Sequence, residues 1–129
     1  KIAKGEIHSA TVYEDSHFTV ILDVNPATKG HCLIIPKEHF DNIYDLDGET
    51  AGKLFALATC IARAMKDALK CDGLNLVQNN GEVAGQTVNH FHLHLIPRYE
   101  GDGLNLNWPQ QEISGEQLEE IRQSIKKSI

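Results

Sequence analysis

Several features are scarce in this sequence, and each absence excludes a class of protein. No apolar run approaches the roughly 18 residues that a membrane span requires, and the segment from Lys1 to Glu6 has no hydrophobic stretch of signal-peptide length. Basic residues are outnumbered, 12 against 18 acidic ones, which gives a formal net charge of −6. Because nonspecific affinity for nucleic acid depends on the phosphates that Lys and Arg neutralise, we expect neither a membrane nor long nucleic acid as a partner.

Cysteine is also scarce. Cys32, Cys60 and Cys71 form an odd set whose spacing fits neither a disulfide framework nor a paired-cysteine zinc motif. We therefore expect a reduced, cytoplasmic protein in which these residues are small buried side chains. The length of 129 residues predicts a single domain over residues 1–129, and 41% apolar with 23% charged residues is typical of globular proteins.

Short β-rich segments predict a sheet. The segment from Ala10 to Asp23 has β-branched and aromatic residues on both sides of a turn-forming Glu-Asp-Ser sequence, which indicates a hairpin. Three further strands are predicted at Cys32–Ile35, Leu74–Gln78 and His90–Ile96.

Helical periodicity predicts two helices. Apolar residues from Leu54 to Leu69 recur at the spacing of one helix face, Asp47 is a suitable N-cap, and Gly73 suits a left-handed exit. The segment that starts at Ser114 has the pattern of a capping box followed by an apolar stripe. Together these elements predict an α+β fold, with an antiparallel sheet, one long helix packed on it and a C-terminal helix.

The densest chemistry is a row of histidines at His90, His92 and His94. Side chains alternate along a strand, so the three imidazoles are expected on one face while the intervening residues enter the core. Neighbours in such a row lie about 6.6 Å apart, so one metal ion cannot bind all three. Two of them could chelate an ion, as in His-x-His metal barrels, but such sites need further His or Glu ligands and belong to all-β folds. The long helix predicted in the middle of this chain does not fit such a fold, so we predict no metal.

Imidazole suits reactions at phosphorus. When neutral it attacks phosphorus, and when protonated it donates to oxyanions, both near neutral pH. The preceding Gly85-Gln86-Thr87 can direct backbone and side-chain donors toward an anion. The pattern therefore favours phosphoryl chemistry through a covalent phosphorus–nitrogen intermediate.

The segment from Gly85 to Ile96 resembles the signature of the histidine triad (HIT) superfamily, in which three histidines alternate with apolar residues after a Gly-Gln-Ser/Thr sequence. Asp23 to Pro26 and Gly30 to His39 are similar to the nucleoside-binding segment of that family and the strand after it. The resemblance covers residues of about 5–99 and leaves 100–129 as a C-terminal extension. It implies a HIT-like α+β unit, usually a homodimer, similar to small bacterial HIT proteins between the Hint and fragile-histidine-triad branches.

The resemblance also implies roles for individual residues. His92 matches the nucleophile that attacks the α-phosphorus, His94 and His31 match groups that contact phosphate, and the His90 carbonyl could fix the His92 tautomer. Other positions match the substrate-binding set. Asp23 corresponds to a ribose contact, and Asn79 and Gln86 correspond to phosphate contacts. Thr87, which follows Gly85 and Gln86 in the Gly-Gln-Ser/Thr sequence, corresponds to the residue beside the leaving group. The apolar wall around the base corresponds to Ile7, Ile21 and Val24. For the three apolar residues, ordinary strand packing is an equal alternative.

The implied function is a nucleotide hydrolase or transferase, most closely a purine nucleoside phosphoramidase that releases nucleoside monophosphate. A dinucleoside polyphosphate hydrolase is one alternative, and a purine-nucleotide-binding regulatory module with negligible turnover is another. We expect no required cofactor. His39 and His90 match positions that bind a structural zinc in some members together with two cysteines, so zinc is expected only if cysteines precede Lys1.

A broad apolar face on the long helix predicts its place in an assembly. Phe55, together with Ala51, Ala58 and Ala62, widens the stripe beyond what one sheet face covers. We therefore expect a two-fold homodimer in which this helix pairs with its copy. The C-terminal extension either reaches the partner's pocket or lies on its own subunit.

Overall fold

The computed structural model describes residues 10–129, and its centre is a five-stranded antiparallel sheet in the order β1-β2-β3-β5-β4. The strands are β1 (Thr11–Glu14), β2 (Phe18–Leu22), β3 (Cys32–Pro36), β4 (Gly73–Val77) and β5 (Leu93–Arg98). One long helix, α1 (Gly48–Leu69), and a C-terminal helix, α2 (Gly115–Ser128), complete the regular structure together with a short 3₁₀ helix at Glu82–Ala84 that was not predicted. The predicted α+β fold is confirmed.

The predicted capping residue begins α1, but the predicted exit does not end it. The Asp47 side chain accepts a hydrogen bond from the Thr50 amide at 3.0 Å. At the other end, Lys70 adopts the left-handed conformation with φ of 55°, and its amide donates to the Lys66 carbonyl. Gly73 instead starts β4. The prediction of a glycine exit was wrong because the helix closes three residues earlier, on a lysine.

The hydrophobic core lies between one face of the sheet and α1. Val20, Ile34 and Leu95 from three adjacent strands are 0% exposed, and Leu54 of α1 is 1% exposed. Ala58 also belongs to this core, so it does not widen the outer face of the helix. Of the three cysteines only Cys32 is buried. Cys60 is exposed on α1, contrary to expectation, because it lies outside the core stripe.

The C-terminal extension is fastened where it leaves β5. Arg98 donates two hydrogen bonds to the Asp102 carboxylate, at 2.9 and 3.1 Å, and one to Asn75 Oδ1. Asp102 also accepts from the Tyr99 and Leu104 amides. We call this arrangement the Arg98–Asp102 clasp.

Beyond the clasp the extension is exposed. Helix α2 begins with the predicted capping box at Ser114 and contains no buried residue. Its apolar stripe, Leu118, Ile121 and Ile125, is 48–60% exposed. None of the helices in residues 10–129 combines the length and apolarity that crossing a membrane requires.

Candidate active site

The histidine row is built differently from the expectation of one continuous strand. Strand β5 begins at Leu93, three residues later than predicted, because the Phe91 amide donates to the Phe40 carbonyl in the neighbouring loop. Phe91, Leu93 and Leu95 do enter the core as expected.

His90 therefore does not share a cluster with the other two imidazoles. Its Nε2 donates to the Pro36 carbonyl at 2.9 Å, and its Nδ1 lies 3.0 Å from His39 Nδ1. His39 Nε2 in turn contacts Asp41 Oδ1 at 2.7 Å. His90 is thus held by the loop that follows β3, through a His39–Asp41 contact that the sequence analysis did not identify.

Three histidines cluster on the open face of the sheet instead. The ring centroids of His92 and His94 are 4.9 Å apart, and those of His94 and His31 are 5.1 Å apart. Leu33 is the cross-strand partner of His94, and Ile21 is the partner of Leu33. Cross-strand partners lie on one face of a sheet, so Ile21 belongs to the histidine face. It is buried but lies outside the core cluster.

His92 has one bound and one free ring nitrogen. Its Nδ1 lies 2.8 Å from the His90 carbonyl oxygen. A carbonyl only accepts hydrogen bonds, so Nδ1 carries the proton and neutral His92 has its lone pair on Nε2. His92 Nε2 has no hydrogen-bond partner among residues 10–129. Because every buried side-chain nitrogen and oxygen of these residues does have a partner, Nε2 is not buried and is reached by solvent. The arrangement supplies a nucleophilic nitrogen with a fixed tautomer.

His94 and His31 form a second hydrogen-bonded unit. His94 Nδ1 lies 2.9 Å from His31 Nε2, and the Ala27 amide donates to His31 Nδ1 at 3.0 Å. Burial lowers the pKa of His94 to about 4, with repulsion from His92 and His31 contributing. Burial also lowers the pKa of His31, although the nearby Asp23 carboxylate opposes the shift.

Asp23 lies beside this unit at the end of β2. Its Oδ2 is 3.8 Å from His31 Nε2, and its Oδ1 accepts from the Asn25 amide at 2.9 Å. Asp23, His31 and His94 place one possible ligand atom each within 4.8 Å of one another. Metal binding at His31 Nε2 would require the ring proton to move to Nδ1, which already accepts from Ala27. The donor set therefore does not fit a metal in this geometry.

The loop before His90 positions its own residues. The side-chain amide nitrogen of Gln86 donates to the Asp41 and Val88 carbonyls, and the side-chain oxygen accepts from the backbone amide of Gly81. Gly85 has φ of 98° and lies beside the Asn79 side chain. The Gln86 side chain thus connects two loops. Thr87, three residues before His90 in the sequence, is exposed.

Two candidates for the apolar wall around the base remain, Val24 and Ile7. Val24 is 53% exposed just after Asp23. Ile7 lies outside the described residues. Two clefts of about 500 and 560 Å³ are lined by other parts of the chain, around Lys53 and around Leu69. The histidine face is identified by its hydrogen bonds and not by a deep cavity.

No third ligand converges on His39 and His90 within residues 10–129. A structural zinc normally takes four Cys or His ligands. At this position, residues 10–129 supply His39 and His90, which is two of the four ligands that such a zinc would need.

Comparisons with known proteins identify the family. A family model for the HIT domain matches residues 4–101. The chain is 46% identical to "Protein hit" of Bacillus subtilis, over all of this chain and 91% of that protein. It is 39% identical to "Adenosine 5'-monophosphoramidase HNT1" of Saccharomyces cerevisiae, over 97% of this chain and 77% of that one.

The fold is shared with solved structures. The crystal structure of a HIT family protein from Bacillus anthracis superimposes with a TM-score of 0.87 at 45% identity, covering 95% of this chain and 92% of the other. This chain belongs to the HIT family.

Proposed function

We propose that this protein hydrolyses purine nucleoside 5′-phosphoramidates to nucleoside 5′-monophosphates through a covalent intermediate on His92. The observation that carries the proposal is the 2.8 Å hydrogen bond between His92 Nδ1 and the His90 carbonyl, which leaves Nε2 as a free nucleophile. The name of the yeast relative, an adenosine 5′-monophosphoramidase, supports this substrate class.

The reaction has two displacements at the same phosphorus. In the first, the Nε2 lone pair of His92 forms a bond to the α-phosphorus while the bond from phosphorus to the leaving amine breaks and the amine takes a proton from the solvent. In the second, water attacks the phosphorus, the bond to Nε2 breaks, and the monophosphate is released with loss of a proton. Splitting one difficult displacement into two is the usual gain from covalent catalysis.

The neighbouring side chains supply binding groups for this substrate. The His94 ring lies 4.9 Å from the His92 ring, measured between ring centroids. One of its nitrogens can contact a phosphoryl oxygen of a substrate bound at His92. Asp23 offers carboxylate oxygens to ribose hydroxyls, and Thr87 a hydroxyl to the leaving group. We assign the base to a position against Val24, which is exposed just after Asp23, with Ile7 as a further expected contact, whereas Ile21 lies on the histidine face but is buried.

A dinucleoside polyphosphate hydrolase is the second candidate. The Gly85-Gln86-Thr87 and Ile96-Pro97-Arg98 sequences favour it. However, the Arg98 guanidinium is occupied by the clasp, so it is not available to a polyphosphate chain. A regulatory nucleotide-binding module requires no nucleophile with a fixed tautomer, so that candidate ranks third.

Turnover of two substrates tests the ranking. Adenosine 5′-phosphoramidate and diadenosine tetraphosphate are compared by kcat/KM at equal enzyme concentration, with release of AMP as the readout. The proposal expects a clear preference for the phosphoramidate. A preference for diadenosine tetraphosphate would reverse the order, and no release of AMP from either would leave the binding module.

We further propose a two-fold homodimer. Phe55 of α1 is 54% exposed, and its neighbours Ala51 and Ala62 are only partly buried. Strand β4 lies at the sheet edge, and the α2 stripe is exposed. These surfaces are suited to a second copy, with the extension crossing to it. No required cofactor is proposed, and three free cysteines agree with a reducing, cytoplasmic location.

A further inference from the structure

A chain of hydrogen bonds with a defined direction enters the site from a loop. It starts at the backbone amide of Ala27, which donates to His31 Nδ1 at 3.0 Å. It continues from His31 Nε2 to His94 Nδ1 at 2.9 Å. An amide N–H can only donate, so His31 Nδ1 must accept and carries no proton.

The tautomers of both rings follow from that first bond. Neutral His31 has its proton on Nε2 and donates it to His94 Nδ1. Neutral His94 then has its proton on Nε2, which has no hydrogen-bond partner among residues 10–129 and is not buried. The chain therefore ends in a free N–H donor on the histidine face, next to His92.

The surroundings keep this unit neutral. His31 is 5% exposed, and burial lowers the pKa of both rings. The titratable groups that face the pair are His92 and Asp23, of which only Asp23 favours a cation. Adding a proton to His31 Nδ1 would break the bond from Ala27.

We propose that the Ala27 amide is a positioning group, which acts through His31 to make His94 present an Nε2–H donor to a phosphoryl oxygen of the substrate. This inference rests on the proposed function for the identity of the acceptor. The ring geometry itself does not depend on turnover, and the two parts are separable by experiment. A donor of this kind, fixed before the substrate binds, stabilises developing negative charge without reorganisation.

Nitrogen-15 NMR of the histidine rings tests the tautomers directly. In the wild-type protein at neutral pH, His31 and His94 are expected to be neutral, each protonated at Nε2 and bare at Nδ1. A wild-type spectrum in which His31 Nδ1 is protonated would overturn the inference without reference to any reaction. Addition of AMP is expected to shift the His94 Nε2–H signal and to leave the ring of His17, in a different cleft, unchanged. A His94 signal that does not move on saturation with AMP would overturn its role as the donor.

Two substitutions of one residue separate the amide from its side chain. Ala27→Pro removes the N–H, whereas Ala27→Gly keeps it and serves as the control. In Ala27→Pro we expect the His31 titration midpoint to rise, because Nδ1 can then take a proton without breaking a hydrogen bond, and the acid limb of the kcat/KM profile to move up by about one pH unit. Identical ring signals and pH profiles in the two variants would contradict the inference.

A third variant covers the case in which Ala27→Pro does not fold. His31→Phe removes the donor to His94, and the His94 titration midpoint is expected to rise. An unchanged midpoint would contradict the chain of bonds. If the tautomers and the AMP shift are as expected but no phosphoramidate is hydrolysed, the hydrogen-bond chain stands and the proposed function fails.

Discussion

His92 Nδ1 lies 2.8 Å from the carbonyl oxygen of His90, two residues earlier in the chain. His90 is itself held by the Pro36 carbonyl and by His39. The free nitrogen of His92 is therefore oriented by a backbone group whose own position is fixed by the loop after β3. Local geometry sets the tautomer on which the proposed reaction depends.

Replacing His92 should abolish catalysis while sparing binding. His92→Asn removes the nucleophile but leaves His94 and Asp23 in place, so kcat is expected to fall by several orders of magnitude with the Kd for AMP little changed. His17→Asn, a surface substitution, is the matched control. Activity within about tenfold of wild type would show that another group attacks phosphorus.

Removing the second ring should affect both binding and rate. His94→Ala deletes the proposed phosphoryl contact, and kcat/KM is expected to fall by about a hundredfold or more. Steady-state kinetics measures the loss of rate, and calorimetry with AMP measures the loss of binding. A variant with wild-type AMP affinity and rate would remove His94 from the site.

Thr87→Ala should give a smaller defect that depends on the leaving group. A hydroxyl beside the departing amine matters most when that amine is a poor leaving group. Comparing phosphoramidates with amines of different basicity measures the trend. An equal loss for every amine would contradict the assignment of Thr87.

Gly30 should not tolerate a side chain. Its φ is 95°, and an added Cβ would lie 2.5 Å from Leu69 Cδ1. Gly30→Ala is expected to lower the free energy of unfolding by about 1–3 kcal/mol and to reduce activity, because His31 follows directly. Urea titration measures the first effect. Gly48→Ala, with no heavy atom within 4 Å of the new Cβ, should lose no stability, and equal behaviour of the two variants would contradict this account.

The Arg98–Asp102 clasp should give stability that depends on pH. Hydrogen bonds from Arg98, Tyr99 and Leu104 hold the pKa of Asp102 well below its usual range. Because the folded pKa is depressed, the contribution is complete above the unfolded value of about 3.9 and is lost as the pH falls through the folded value.

Asp102→Asn is therefore expected to lower the urea midpoint at pH 7, with the difference from wild type narrowing below about pH 4. Asp67→Asn, at an exposed position of α1, is the control and should show no such dependence. A constant deficit for Asp102→Asn from neutral to strongly acid pH would exclude a contribution from the charge of Asp102.

Assembly is tested by light scattering. The full chain is expected to have about twice the mass of one subunit, and Phe55→Lys should yield a monomer because it places a charge on the proposed interface. Tyr44→Lys, at an 84% exposed aromatic residue outside α1, is the control. A monomeric wild-type protein, or a dimeric Phe55→Lys, would contradict pairing through α1.

Local patterns in the sequence predicted most of the fold because they record local physics. The periodicity of α1 and the N-caps of both helices depend on neighbours three or four residues apart, and both capping residues, Asp47 and Ser114, were identified. The start of β5 was missed because it depends on a long-range bond between Phe91 and Phe40.

The same distinction applies to the site. His92, His94 and His31 are brought together as the resemblance implied. The resemblance had paired His90 with His39, but the hydrogen bond from His90 to the Pro36 carbonyl was not predicted, because Pro36 is distant in sequence. The Ala27 contact had no signal in the sequence, because any residue other than proline supplies an amide.

The most direct measurement is the state of His92 during turnover. The protein is mixed with adenosine 5′-phosphoramidate, quenched within one turnover, digested and analysed by mass spectrometry under conditions that preserve phosphorus–nitrogen bonds. The account predicts an adenylyl group on the peptide that contains His92, and none in His92→Asn. Release of AMP by the wild-type protein with no histidine adduct at any quench time, or with the adduct on another histidine, would contradict it.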